Sequence, residues 1–100
     1  MPSETQWRHD VLRLANTYGW THYLTHYSPY STPGWPDLAL VKPPFLLLTE
    51  LKTARGRLRP EQVTAGKLLN DCDRVAYRLW RPDDLDDVVH ELSNGQGRLL

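Results

Sequence analysis

Two apolar segments, DLALV (37–41) and FLLLTELK (45–52), flank Pro43-Pro44, and no other feature of the chain narrows its possible folds so far. Each is bounded by turn-forming residues and has the length and content of a strand. Near-continuous apolar runs belong to strands covered on both faces, whereas a half-exposed strand alternates. The pair therefore predicts a central sheet with helices packed against it. If Pro43-Pro44 is the whole turn, Lys42 faces Phe45, and counting outward sets Asp37 opposite Glu50. Opposed side chains share a face at about 5.5 Å between Cβ atoms. Pro-Pro is not a favoured two-residue turn, so a slipped register or a longer loop is the alternative.

The flanks supply the helices. Ser3 and Gln6 have the S-x-x-Q spacing of a capping box, Gly19 can end the helix they begin, and Trp7, Val11, Leu14 and Tyr18 form an apolar stripe along it. Thr21 to Ser28 reads as a strand whose aromatic residues, His22, Tyr23, His26 and Tyr27, together with Tyr30 beyond it, are expected in the core; stacking on nucleic acid is the alternative. Pro60 suits the first turn of a second helix, PEQVTAGKLLND, with Gln62, Ala65, Leu69 and Cys72 on one side. RVAYRLW is a further strand, and RPDDLDDVVHEL is a third helix with acids at its positive end. The predicted order is α-β-β-β-α-β-α, an α/β fold with a mixed sheet. Residues 1–93 are expected to form one domain and 94–100 a flexible C-terminal tail.

Composition bounds the function classes. The chain has 100 residues, 40% hydrophobic and 24% charged, as in ordinary globular proteins. No apolar run approaches the roughly 20 residues of a membrane span, and MPSETQW lacks a basic-then-apolar signal pattern, so no membrane partner and a cytoplasmic location are expected. Cys72 is the only cysteine, which leaves no intrachain disulfide and no thiolate cluster for zinc. The net charge is zero, yet residues 42–81 hold nine Lys/Arg against four acids, and the remainder three against eight. That asymmetry permits a basic face able to meet a polyanion. The four tryptophans are read mainly as packing residues, with Trp35 the most exposed of them.

Asp37, Glu50 and Lys52 are the residues that could do chemistry. Two opposed carboxylates repel unless a proton or cation lies between them, and hard oxygen ligands suit magnesium or manganese. Lys52, two residues beyond Glu50 and so on the same strand face, would aim its ammonium at the same spot. The alternative is a hydrogen-bonded ion pair at the frayed end of a hairpin. Glu4, one turn before Trp7, could simply favour its helix dipole. Arg55, Arg57 and Arg59 follow at once, where they could engage phosphates or form an ordinary solvated loop.

The stretch GWPDLALV…LLLTELKTARGRLRPEQ resembles the VRR-NUC (virus-type replication-repair nuclease) family, a branch of the PD-(D/E)XK nuclease superfamily. Pro36-Asp37, Glu50-Leu51-Lys52, Gly56 and Pro60-Glu61-Gln62 carry the likeness, with Glu4 and Gln6, Gly19-Trp20 and WRPDDL extending it across the chain. The resemblance implies a restriction-endonuclease-like core with Mg2+ or Mn2+ held by Asp37, Glu50 and the Leu51 carbonyl. Glu4 would be an outer or second-metal ligand, Lys52 the catalytic lysine and Gln62 a supporting catalytic group. Arg59 stands where relatives often carry Ser or Thr, so the helix loses its usual cap and gains a phosphate-seeking charge. Arg55, Arg57, Arg59 and Lys67 would contact DNA.

The implied reaction is hydrolysis of DNA phosphodiesters to 5′-phosphate and 3′-hydroxyl ends. It would be structure-selective for branched or Holliday-junction DNA in repair, performed by a homodimer in the cytoplasm, or in a host's cytoplasm if virus-encoded. The rival readings are a non-catalytic nucleic-acid or protein binding module on the same fold, and a hydrolase of small phosphoesters.

Overall fold

The computed structural model describes residues 2–25 and 28–94 and contains three α-helices around a four-stranded mixed sheet. Along the chain come α1 (Glu4–Thr17), β1 (Thr21–Leu24), β2 (Leu38–Lys42), β3 (Phe45–Leu51), α2 (Pro60–Asn70), β4 (Ala76–Trp80), a 3-10 turn (Pro82–Asp84) and α3 (Leu85–Ser93). The sheet order is β1-β2-β3-β4, antiparallel in the first two pairings and parallel between β3 and β4. A parallel neighbour needs a crossover, and α2 supplies it. The 3-10 turn stands where the sequence predicts the first residues of one continuous third helix. His26, Tyr27 and the tail from 95 onward lie outside the described residues.

Local signals account for the helix ends. Ser3 Oγ accepts from the Gln6 amide at 3.1 Å, as the capping spacing required. Gly19 takes φ +85° directly after α1, a left-handed conformation that glycine adopts at little cost. One face of the sheet then closes with α1 and α3. Trp7, Val11 and Ala15 from α1 and Val88 and Leu92 from α3 pack with Leu38, Leu40, Leu47, Leu51, Ala76 and Trp80. The indole N–H groups of Trp7 and Trp20 donate to the carbonyls of Trp80 and Leu92, so these large side chains are buried without an orphaned donor.

The opposite face is covered by α2 over β3 and β4. Gly66 makes the close approach possible, because a Cβ there would lie only 3.0–3.1 Å from three atoms of the Tyr77 ring. Cover stops short of the other edge. Ala39 and Val41 of β2 and Leu46 at the start of β3 are half-buried and Tyr23 is 61% exposed, so full cover on both sides holds for β3 from Leu47 to Leu51 and not for β2. All four residues of β1 are exposed. His22 and Tyr23 are therefore not core, because β1 is the edge strand of the sheet, and neither is Tyr30, which is almost fully exposed in the turn beyond it. Cys72 is exposed as well, lying past the end of α2 and off the sheet.

Candidate active site

The β2–β3 pairing runs from Lys42 opposite Phe45 to Leu38 opposite Thr49, and one further step sets Asp37 against Glu50. The register counted from a two-residue turn thus holds, and the turn contains a cis Pro43–Pro44 bond, as in type VI turns. At the open end of the hairpin the two carboxylates cross. The Asp37 amide donates to Glu50 Oε2 at 3.1 Å, and the Leu51 amide donates to Asp37 Oδ2 at 3.3 Å. The segment before Asp37 is pinned from both sides. Thr25 donates through its hydroxyl to the Pro36 carbonyl at 2.6 Å and through its amide to the Asp37 carbonyl at 2.9 Å. Gly34, at φ +104°, lies flat on the backbone of Glu61, where any Cβ would collide with the carbonyl group.

Glu50 is only 2% exposed, an unusual place for a carboxylate. Burial pushes its pKa up to about 7, and the charge of Asp37 adds to the rise. The Asp37 amide and Lys52 oppose it, while Glu4 contributes a small further rise. The buried Tyr77 hydroxyl is shifted upward too, first by burial and then by Glu50 and Asp37. Gln62, 3% exposed, clamps the site to α2. Its Nε2 donates to Glu50 Oε1 at 2.6 Å, while its Oε1 accepts the Arg59 amide at 2.8 Å. This is half of a capping box, since the Arg59 side chain has no acceptor with which to return the bond. Lys52 Nζ stands 4.0 Å from Glu50 Oε1.

A polar cavity of about 340 Å³ opens here, between Glu4 and Arg8 of α1, Asp37, Glu50 and Lys52 of the hairpin, and Arg59 and Gln62 at the start of α2. Six side chains singled out from the sequence therefore meet. Leu51 contributes its amide, and its side chain lies in the core. Arg55 and Arg57 are exposed on the loop between β3 and α2 and do not line the cavity. Lys67 is exposed beside a different cavity, over β4.

Arg8 escaped the sequence reading although it follows Glu4 by four residues, the spacing that puts two helical side chains on one face. Its Nε is buried with no hydrogen-bond partner. Three bases of the 42–81 run are committed to structure. Lys42 donates to the Tyr18 carbonyl at 2.7 Å, and Arg78 pairs with Glu91 at 2.8 Å. Arg81 donates to the carbonyls of Thr53 and Gly56 at 2.7 and 2.6 Å, holding the loop beyond Lys52.

Among the described residues, no three histidine, cysteine, aspartate or glutamate side chains form a group that could hold a metal. The side chains that would hold a cation here are thus the crossed carboxylate pair. Such a pair suffices for magnesium or manganese, which bind through one or two carboxylates and keep several waters, and the desolvated charge of Glu50 favours a cation beside it.

No protein-family model matches this chain, and neither the curated proteins nor the solved structures provide a match to it. What defines it is an α/β architecture with a mixed sheet of four strands and three helices, and a carboxylate pair, Glu50 buried and Asp37 half-buried, at the open end of its central hairpin.

Proposed function

We propose that this chain is a PD-(D/E)XK nuclease of the VRR-NUC kind, hydrolysing DNA phosphodiesters with Mg2+ or Mn2+, selective for branched or junction structures and acting as a cytoplasmic homodimer. The observation that carries the reading is the crossed Asp37–Glu50 pair with Lys52 and Gln62 around a polar cavity. A divalent ion held by Asp37, Glu50 and the Leu51 carbonyl, with Glu4 as an outer ligand, would polarise the phosphodiester and activate a water.

The chain's own side chains divide the remaining work. Lys52 places its ammonium beside Glu50, where it orients the attacking water and offsets charge developing on the phosphate oxygens. Gln62 keeps Glu50 Oε1 fixed by a 2.6 Å bond, so the carboxylate does not have to be ordered when substrate arrives. Arg8 offers an unpaired buried N–H to a phosphate oxygen, and Arg59 adds charge at the rim. Arg55, Arg57 and Lys67 reach phosphates further along the duplex. The water oxygen bonds to phosphorus, the bond to the 3′ oxygen breaks, and that oxygen takes up a proton. The products are 5′-phosphate and 3′-hydroxyl ends.

The test is cleavage of branched, flapped, single-stranded and duplex DNA in manganese by wild type, Asp37→Ala and Lys52→Ala. Wild type is expected to cut, Asp37→Ala to be inactive, and Lys52→Ala to lose about 10²–10³-fold, the cost of removing one preorganised donor. Both variants should still bind. Unchanged cleavage in either removes the assigned site. Binding without cleavage by wild type leaves a non-catalytic module.

A further inference from the structure

A second cavity lies behind the wall of the first. It measures about 640 Å³ and is bounded by Pro33 and Trp35 on one side and by Ala65, Leu68 and Leu69 of α2 on the other. Trp35 is 49% exposed and Leu68 66%, so the apolar lining is open to solvent. Large aromatic and aliphatic side chains left in water at a concave site mark a place that something covers.

The two cavities share their dividing wall. Trp35 lines the apolar one and Asp37 the polar one, with the buried Pro36 between them. Two residues of extended chain span at most about 7 Å. On the helix side, Glu61 lines the apolar cavity, and Arg59 and Gln62 line the polar one. Gly34 packed on the Glu61 backbone joins these two edges into one ridge. A polymer strand with a phosphate at Asp37 and Glu50 therefore carries its adjoining nucleoside to the rim of the apolar cavity. Arg59 stands at the ridge, where the connecting backbone is negative. The cavity itself bears Glu61, paired with Arg59 at 3.7 Å, so it admits an uncharged ring more readily than a second phosphate.

We propose that this cavity is a nucleobase subsite, in which one unpaired base next to the bound phosphate stacks on Trp35 between the 32–35 loop and α2. The inference rests on reading the carboxylate cavity as a phosphodiester site. A base held in a helix by its complement cannot turn into the cavity, whereas one at a flap, gap or branch point is released already. Every base has a π face, so stacking on Trp35 tolerates any sequence and selects for the absence of pairing. The subsite gives the enzyme a local cue for irregular DNA without a base-reading element.

The experiment compares binding of two DNAs that differ at the unpaired nucleotide flanking the cleavage position, one with a base and one abasic. Lys52→Ala protein is used so that DNA is held and cut too slowly to disturb the binding measurement. With Trp35 present, the intact base should strengthen binding about tenfold over the abasic site, within the range of alanine substitutions at stacking positions. Adding Trp35→Ala should reduce that ratio to about one, and Trp35→Phe should keep most of it. A ratio that Trp35→Ala leaves unchanged overturns the subsite. If the ratio is unchanged and Trp35→Ala also halves the particle mass seen by light scattering, the cavity seats a second copy instead and the proposal falls. Wild-type cleavage that depends on Asp37 but gives no base-dependent ratio removes the subsite alone. Failure to bind any DNA removes the functional reading with it.

Discussion

Replacing Glu50 by glutamine is expected to flatten the pH dependence of stability. In the folded chain this carboxyl is raised from 4.5 to about 7, chiefly by burial and then by the Asp37 charge. Between those values the native state holds a proton on Glu50 that the unfolded state has released, so stability falls as pH rises. The favourable contribution is complete below about pH 4.5 and gone once pH passes about 7. At about 1.4 kcal/mol per unit the full span is on the order of 3 kcal/mol, most of which falls between pH 5 and pH 8. Glutamine is always neutral and has no such term. It has a cost of its own, because Glu50 accepts from the Asp37 amide on one oxygen and from Gln62 on the other. Its NH2 would oppose one of those donors, at about 1–2 kcal/mol.

Urea unfolding at pH 5 and pH 8 should therefore show Glu50→Gln less stable than wild type in acid and more stable by about 1–2 kcal/mol at pH 8. The crossing of the two curves separates this mechanism from a simple loss of packing. Manganese adds a second arm. A cation competes with the proton for Glu50, so millimolar Mn2+ should raise wild-type stability at pH 8, have little effect at pH 5, and leave Glu50→Gln nearly unmoved. Parallel pH profiles for the two proteins, or equal stabilisation of both by manganese, would refute the reasoning.

Two further substitutions probe the surrounding structure. Arg8→Ala should change unfolding free energy by less than about 1 kcal/mol, weaken DNA binding several-fold, and reduce the slope of log K against log salt by about 1, as loss of one phosphate contact does; an unchanged slope would remove Arg8 from the interface. Gly66→Ala gains about 1 kcal/mol of helix propensity but presses a methyl group to 3.0 Å from a buried tyrosine ring, so thermal unfolding should show a net loss of about 1 kcal/mol, and a gain would mean that α2 rides loosely on β4.

The features readable from the sequence are those fixed by neighbours close along the chain. The hairpin register follows from a turn of two prolines and a side-chain period of two, so Asp37 opposite Glu50 needed nothing from elsewhere. Ser3 capping Gln6 is a three-residue relation. The arginines went astray because their partners are distant. Arg81 is separated by 28 positions from Thr53 and Arg78 by 13 from Glu91, and nothing in either's own segment marks it as structural. Burial failed at β1 for a related reason. Aromatic and β-branched content identifies a strand, whereas edge or centre depends on whether a fifth strand pairs beyond it, and among the described residues none does. Arg8 was within reach, since its spacing from Glu4 places both on one helical face. What the sequence could not supply was the orphaned Nε, which depends on how closely α1 meets the sheet.

Glu50 is also the strongest reason to look for chemistry in this fold. A buried residue that only had to accept bonds from the Asp37 amide and from Gln62 could be neutral. Glutamate instead places a second carboxylate against Asp37 at 2% exposure and makes the folded state less stable as pH rises toward neutrality. Gln62 fixes it there, and Lys52 at 4.0 Å compensates without neutralising it through close contact. Local rules broken at one place, with supporting bonds arranged to hold the violation still, are what a functional site looks like in a fold that otherwise obeys them. A cation supplied from solution would remove the penalty, so the least comfortable carboxylate in the chain is also the one best placed to gain from binding.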